Sequence, residues 1–236
     1  AFPDHTEFEI YAAMEPARQV GGDFYDFFLV DKDRLCLAIG DVSGKGVPAA
    51  FFMAVTRFLV RNLAREGLDP AELLSHLNRE LVDDNNACMF VTVFCAILDI
   101  ETGELIYSSG GHEPAMLLRK GLEVELLKAP GGPVVGLMEN VSFKMDKVVL
   151  SRGDTLFTYT DGVTEAVDST GQFFTRDRLR DTVLSSGCKT AQGVIETLSQ
   201  VLTAFAQGAA QADDITMMAL KFEGRGSEPS DGDRSL

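Results

Sequence analysis

The chain has 236 residues, 45% of them hydrophobic and 24% charged, enough for one large domain with a sizeable core or for two small ones. Its 21 basic and 36 acidic side chains leave a formal charge of −15, which argues against binding nucleic-acid phosphates over a broad surface. Cys36, Cys88, Cys95 and Cys188 show no C-x-x-C spacing, so neither a zinc pattern nor a disulfide framework is present, and a reducing, cytoplasmic setting is expected.

No apolar run approaches the roughly 20 residues of a membrane span, and none is expected. Ala1-Phe2-Pro3-Asp4-His5 has neither the basic nor the apolar region of a signal peptide. Without an initiator methionine the chain reads as a processed or excised piece of something longer.

Phe8 to Met14 reads as a first strand, followed by a connection from Pro16 to Gly22 that carries Arg18. Asp23 to Val30 is an aromatic-rich second strand, and Asp31-Lys32-Asp33 turns it into Leu35-Cys36-Leu37-Ala38-Ile39-Gly40-Asp41. That meander places Asp23 and Asp41 near the same end of neighbouring strands. Val47 to Glu66 has helical periodicity, with Pro48 near its start and Gly67 beyond its end. Its expected core face is Phe51, Val55, Phe58, Leu59 and Leu63, with Arg57, Arg61 and Arg65 on a solvated face. Asp69-Pro70 caps a second helix that runs to about Val82, so the two form an antiparallel pair.

Strands return at Phe90 to Ile100 and Glu104 to Ser109, around the turn Glu101-Thr102-Gly103. Further strands are expected at 116–119, 123–127 and 143–149, with Pro130-Gly131-Gly132-Pro133 as a loop. Thr155 to Thr160 delivers Asp161-Gly162 at its end, which alone would be a plain turn. Helices over about 176–185 and 190–207 and a last strand over 215–222 complete the domain. One domain over 1–222 is therefore expected, with 223–236 a polar, glycine-rich disordered tail. Strands in runs and helices in pairs predict an α+β fold with antiparallel sheets, a layered sandwich.

Four acidic stretches sit beside these strands: Asp23, Asp41, Asp161 and Asp213-Asp214. A strand that stops on a carboxylate presents it at the rim of a sheet, and four together suggest one site for hard divalent cations. The carbonyl of Val42, next to Asp41, is placed to serve as a further ligand. Two Mn²⁺ or Mg²⁺ ions could then activate a water and clamp a phosphoryl group. No P-loop and no G-x-S-x-G elbow is present.

Gly21-Gly22-Asp23-Phe24-Tyr25-Asp26, Gly40-Asp41-Val42-Ser43-Gly44-Lys45-Gly46, Thr160-Asp161-Gly162-Val163-Thr164-Glu165 and Asp213-Asp214-Ile215-Thr216 together resemble the signature of the SpoIIE/RsbU-type branch of the metal-dependent (PPM) protein serine/threonine phosphatases. Ser109-Gly110-Gly111-His112-Glu113-Pro114 is similar to a glycine-histidine turn of that branch, with His112 itself read as a turn or packing residue. The resemblance covers about residues 8–222. It implies a four-layer α-β-β-α sandwich, two antiparallel sheets flanked by antiparallel helix pairs. It also implies hydrolysis of phosphoserine or phosphothreonine by a metal-activated water. Asp41 would bridge two metals, Val42 would add its carbonyl, Asp161 and Asp213 would complete the first site, and Asp23 would bind nearby. Asp214 would support the ligands from behind, and Arg18 stands where some relatives carry a phosphate-binding arginine.

The implied substrate is a phosphorylated STAS-type antagonist of an anti-sigma factor, with a sensory or receiver domain upstream. The 47–83 helix pair is a candidate face for a homodimer. A catalytically weak, metal-responsive signalling scaffold is the alternative reading, and four mutually repelling carboxylates count against it.

Overall fold

The structure, a computed structural model, describes residues 6–83, 85–120, 123–128, 131–186 and 190–224. Most of the expected tail, together with Asp84 and Cys188, lies outside the described residues. In chain order the elements are β1 (Phe8–Glu15), β2 (Phe24–Leu29), β3 (Arg34–Val42), α1 (Val47–Arg65), α2 (Pro70–Val82), β4 (Val91–Asp99), β5 (Glu104–Gly110) and β6 (Met116–Arg119). They continue with β7 (Glu123–Leu126), β8 (Gly131–Gly132), β9 (Met145–Val149), β10 (Thr155–Tyr159), α3 (Asp161–Thr164), α4 (Thr175–Ser185), α5 (Ala191–Ala206) and β11 (Ile215–Phe222).

One sheet has the order β1-β11-β10-β6-β7, and the other runs β2-β3-β4-β5-β8 with β9 also paired to β5. The expected antiparallel pairing holds throughout except where the two-residue β8 runs parallel to β5, in the stretch expected to be a loop. Leu35, Leu37 and Ile39 of β3 face Leu156 and Leu220 of the opposite sheet. The alternate residues Cys36 and Ala38 face Val60, Leu73 and Leu77 of α1 and α2. Phe157 and Met217 on the far side of the other sheet meet Leu179 of α4 and Val194 and Leu198 of α5. This is the α-β-β-α sandwich. Because both faces of β3 are covered, its sequence is a continuous apolar run instead of an alternating one.

Asp69 caps α2, as expected, and does so in a full capping box with Glu72. On α1 the buried residues are Ala49, Thr56, Val60, Leu63 and Ala64; of the expected core face Leu63 is buried and Val55 and Leu59 pack partly buried against the same cluster, while Phe51 and Phe58 are 73% and 64% exposed, a correction to the expectation. Two contacts explain the roll of the helix. Thr56 satisfies its hydroxyl on the Phe52 carbonyl (2.9 Å), so a polar side chain can take an inward position. Asp26 of β2 is buried and grips Arg61 through two hydrogen bonds, with Arg57 at 3.3 Å. Arg61 also lies 4.5 Å above the Phe28 ring, so this arginine face is not simply solvated. By length and a mean hydropathy of 1.3, α1 is also apolar enough to cross a membrane, which the sequence reading did not expect; here its inner face packs on β2 and β3.

Candidate functional site

Asp23 immediately precedes β2 and Asp41 is the penultimate residue of β3. The register Phe24↔Gly40 puts the two at the same end of the pair, as the meander predicts. In the other sheet β10 and β11 are neighbours; Asp161 follows β10 and Asp213 precedes β11 by two residues. Instead of a plain turn, Asp161-Gly162 opens the short helix α3. Each sheet thus brings two carboxylates to one rim.

Thr160 joins the two rims. Its hydroxyl donates to Asp23 Oδ2 (2.8 Å) and accepts from the Thr216 N–H (3.1 Å), and its own N–H donates to the Thr216 carbonyl (3.0 Å). Asp214 is buried and turned toward the connection between β1 and β2. Its carboxylate accepts from the N–H groups of Ala17 (2.8 Å), Gly22 (2.8 Å) and Asp23 (3.4 Å). A Cβ on Gly21 would lie 2.2 Å from that carboxylate, and one on Gly162 would lie 2.0 Å from the Asp214 carbonyl oxygen. Only glycine fits at either position, so both motif glycines have a steric cause.

Asp213 instead faces Lys45, whose ammonium stands 3.0 Å from Asp213 Oδ2 and donates to the Ala212 carbonyl (2.6 Å). Lys45 lies in the glycine turn after β3, and a single lysine between two glycines gives no sequence signal for this pairing. Arg18 is exposed on the β1–β2 connection and shares a shallow depression with Gly21, Gly22 and Lys45. His112 stays outside the carboxylate set. Its Nδ1 lies 2.8 Å from the hydroxyl of Thr92, the residue opposite Asp41 on β4, and burial pushes the imidazole down to about 4.

Burial pushes the Asp23 carboxyl up to about 9. The hydroxyls of Thr216 and Thr160 oppose the rise, and the charge of Asp41 adds to it. Burial and then the charge of Asp161 push Asp41 up to about 7, against a hydrogen bond from Asp23, which a protonated Asp23 can donate. Asp161 is raised as well, by burial and by the charges of Glu165, Asp213 and Glu113. Asp23 and Asp41 therefore keep protons into the neutral range unless a cation replaces them.

Carboxylates and a carbonyl are hard oxygen donors suited to Mg²⁺ or Mn²⁺. The Val42 carbonyl oxygen lies 3.0 Å from the position a Cβ on Gly22 would take, so it faces the loop that leads to Asp23. Among the described residues no three acidic, histidine or cysteine side chains already converge tightly enough to hold one ion. The donors fit the cation in kind.

The family model for Stage II sporulation protein E (SpoIIE) matches residues 31–223, which includes Asp41, Asp161, Asp213 and Asp214. The chain belongs to the SpoIIE family. It is 35% identical over 247 residues to Protein IcfG of Synechocystis sp., a match that covers 93% of this chain and 39% of that protein. It is 31% identical over 219 residues to Phosphoserine phosphatase RsbU of Bacillus subtilis, covering 93% of this chain and 64% of RsbU. The chain therefore spans less than two thirds of either relative. The RsbU and RsbW domains of Rv1364c from Mycobacterium tuberculosis share its fold, with a TM-score of 0.81 at 26% identity over 93% of this chain and 62% of that one. The family is the one that the four motifs resemble.

Proposed function

We propose that this SpoIIE-family domain is a metal-dependent protein phosphatase acting on phosphoserine or phosphothreonine, with a phosphorylated STAS-domain protein as substrate. The observation that carries the proposal is the meeting of Asp23 and Asp41 from one sheet with Asp161 and Asp213 from the other at a single rim. The likeness to RsbU, a phosphoserine phosphatase by name, supports the substrate class.

Two Mn²⁺ or Mg²⁺ ions, when bound, would supply a nucleophilic water at neutral pH and offset the charge of a phosphoryl group. Asp23, Asp41, Asp161, Asp213 and the Val42 carbonyl would be the donors that hold them. Asp214 holds the backbone from Ala17 to Asp23 in register, which fixes where Asp23 points. The same bonds place Arg18 at the edge of the rim, where its guanidinium can take phosphate oxygens in a fork. Lys45, once released from Asp213, offers a second cation there. A reducing compartment suits the chain, since Cys36 and Cys95 lie buried as free thiols.

The test is hydrolysis of a generic aryl phosphate with Mn²⁺, with a chelator, and by Asp41→Asn. Turnover that needs metal and is lost in the variant supports the proposal. Metal binding without hydrolysis of either an aryl phosphate or a phosphopeptide would favour the signalling scaffold instead.

A further inference from the structure

A cavity of about 360 Å³ opens beside the carboxylate rim, within the size range of ligand pockets. Its walls are apolar, formed by Val167, Leu202, Ala206, Ile215 and Met217, with Phe173 at its edge and 55% exposed. Asp213 and Gly162 belong to its lining, so the cavity is continuous with the site. Lys45 is common to it and to the depression that holds Arg18. The edge that carries Phe173 is preformed. Val167 bridges to Phe173, the Phe174 N–H donates to the Ala166 carbonyl (2.8 Å), and the Asp168 carboxylate closes the loop on Thr170 and Gln172.

Two carboxylates, Glu15 and Glu165, line the same cavity. Its cation, Lys45, is shared with the depression that holds Arg18 and would be taken by the phosphate, which leaves the two carboxylates as the cavity's remaining charges. An anionic small molecule meets the wrong charge here, whereas an apolar group with a positive neighbour meets the right one. Because Lys45 lines both the cavity and the Arg18 depression, a phosphate held there would bring the residues flanking it in a polypeptide beside the cavity.

We propose that this cavity seats an apolar side chain of the phosphorylated polypeptide, of leucine, methionine or phenylalanine size, with a basic residue beside it facing Glu15 and Glu165. The proposal rests on the phosphatase reading above and adds a sequence requirement to it. An apolar side chain filling a preformed pocket discriminates by roughly 10- to 200-fold for small differences in size, so the requirement is measurable.

The test uses phosphoserine peptides in which leucine, with arginine next to it, is moved through the flanking positions of a glycine-alanine background. The enzyme is the Mn²⁺-loaded chain, and an aryl phosphate that cannot reach the cavity is the control. At one flanking position leucine should raise kcat/KM about ten-fold or more over alanine. Ala206→Phe, which fills the cavity, should abolish that preference through KM while aryl phosphate turnover stays within about two-fold. Phe173→Ser should weaken the preference in the same way and guards against misfolding of the first variant. Polarisation of the labelled leucine peptide reads seating without hydrolysis. If no peptide is hydrolysed yet binding is leucine-dependent and lost in Ala206→Phe, the pocket stands and the phosphatase reading falls. Equal kcat/KM for leucine and alanine at every position would overturn the pocket, as would leucine preference surviving in both variants. Concentration-dependent masking of the cavity would assign it to a second copy of the chain and also overturn the proposal.

Discussion

Stripped of divalent cations by a chelator, the domain should lose stability as the pH rises from 5 to 7. Asp41 is held at about 7 in the folded chain against an ordinary value of 3.8, by burial and by the charge of Asp161. Across the intervening range the folded state keeps a proton that the unfolded state has released. The free energy of unfolding then falls with pH, at up to about 1.4 kcal/mol per pH unit for one such group. Integrated between pH 5 and pH 7, Asp41 alone accounts for about 2 kcal/mol of lost stability. Asp23, pushed to about 9, carries the loss on toward that pH. His112, pushed down to about 4 by burial, works against the decline within this same range, because the unfolded imidazole holds a proton that the folded one has lost, and it does so equally in wild type and variant. Asp31, Asp99 and Asp168, all held below 3.8, also contribute in the opposite direction, but their change is largely complete by pH 5. Urea unfolding followed by circular dichroism at pH 5, 6 and 7, on the wild type and Asp41→Asn, isolates the effect. The variant should be flatter by about 2 kcal/mol over that range, and saturating Mg²⁺ should remove the decline in the wild type. Parallel pH profiles for the two proteins would refute the reasoning, because they would mean that Asp41 ionises normally in the folded chain.

Asp214→Asn sets an amide NH₂ against backbone N–H donors; a loss of about 2 kcal/mol in denaturant unfolding and roughly ten-fold in metal affinity by calorimetry is expected. Lys45→Met removes the resident cation from Asp213, so metal affinity should rise. The rise should not exceed about five-fold, since the Lys45 and Asp213 side chains are 36% and 40% exposed and such pairs are worth at most about 1 kcal/mol. Asp26→Ala leaves Arg61 on Phe28 without its carboxylate, at an expected cost of about 2 kcal/mol in thermal or denaturant melts. Metal affinity measured on the same sample should be unchanged, which marks Asp26 as an anchor of α1 and not part of the centre.

Much of this arrangement was legible in the sequence because it is written locally. β3 is an apolar run with Asp41 next to its end, and the four residues from Val30 to Asp33 tie it to the strand that starts after Asp23, so their adjacency follows from chain order alone. Asp69 and Pro70 announce α2 in the same way. What stayed hidden depends on partners far away in sequence. The roll of α1 is decided by Asp26, on another element, and apolar residues on several sides of the helix left its inner face ambiguous. Thr160 and Thr216, which join the two rims, are common strand residues with no motif of their own. α3 and β8 span four and two residues, too short for periodicity to register.

If the two sheet rims form one hydrolytic centre, the most direct measurement compares Mn²⁺-dependent phosphate release from a phosphoserine peptide by Asp23→Asn, Asp41→Asn, Asp161→Asn and Asp213→Asn. Each variant should fold as the wild type does, with kcat falling by about 100-fold or more for Asp41, Asp161 and Asp213, because loss of any donor disrupts a shared metal centre. Wild-type turnover by Asp161→Asn and Asp213→Asn, with Asp41→Asn inactive, would contradict the account: the second sheet's carboxylates would then take no part in the chemistry.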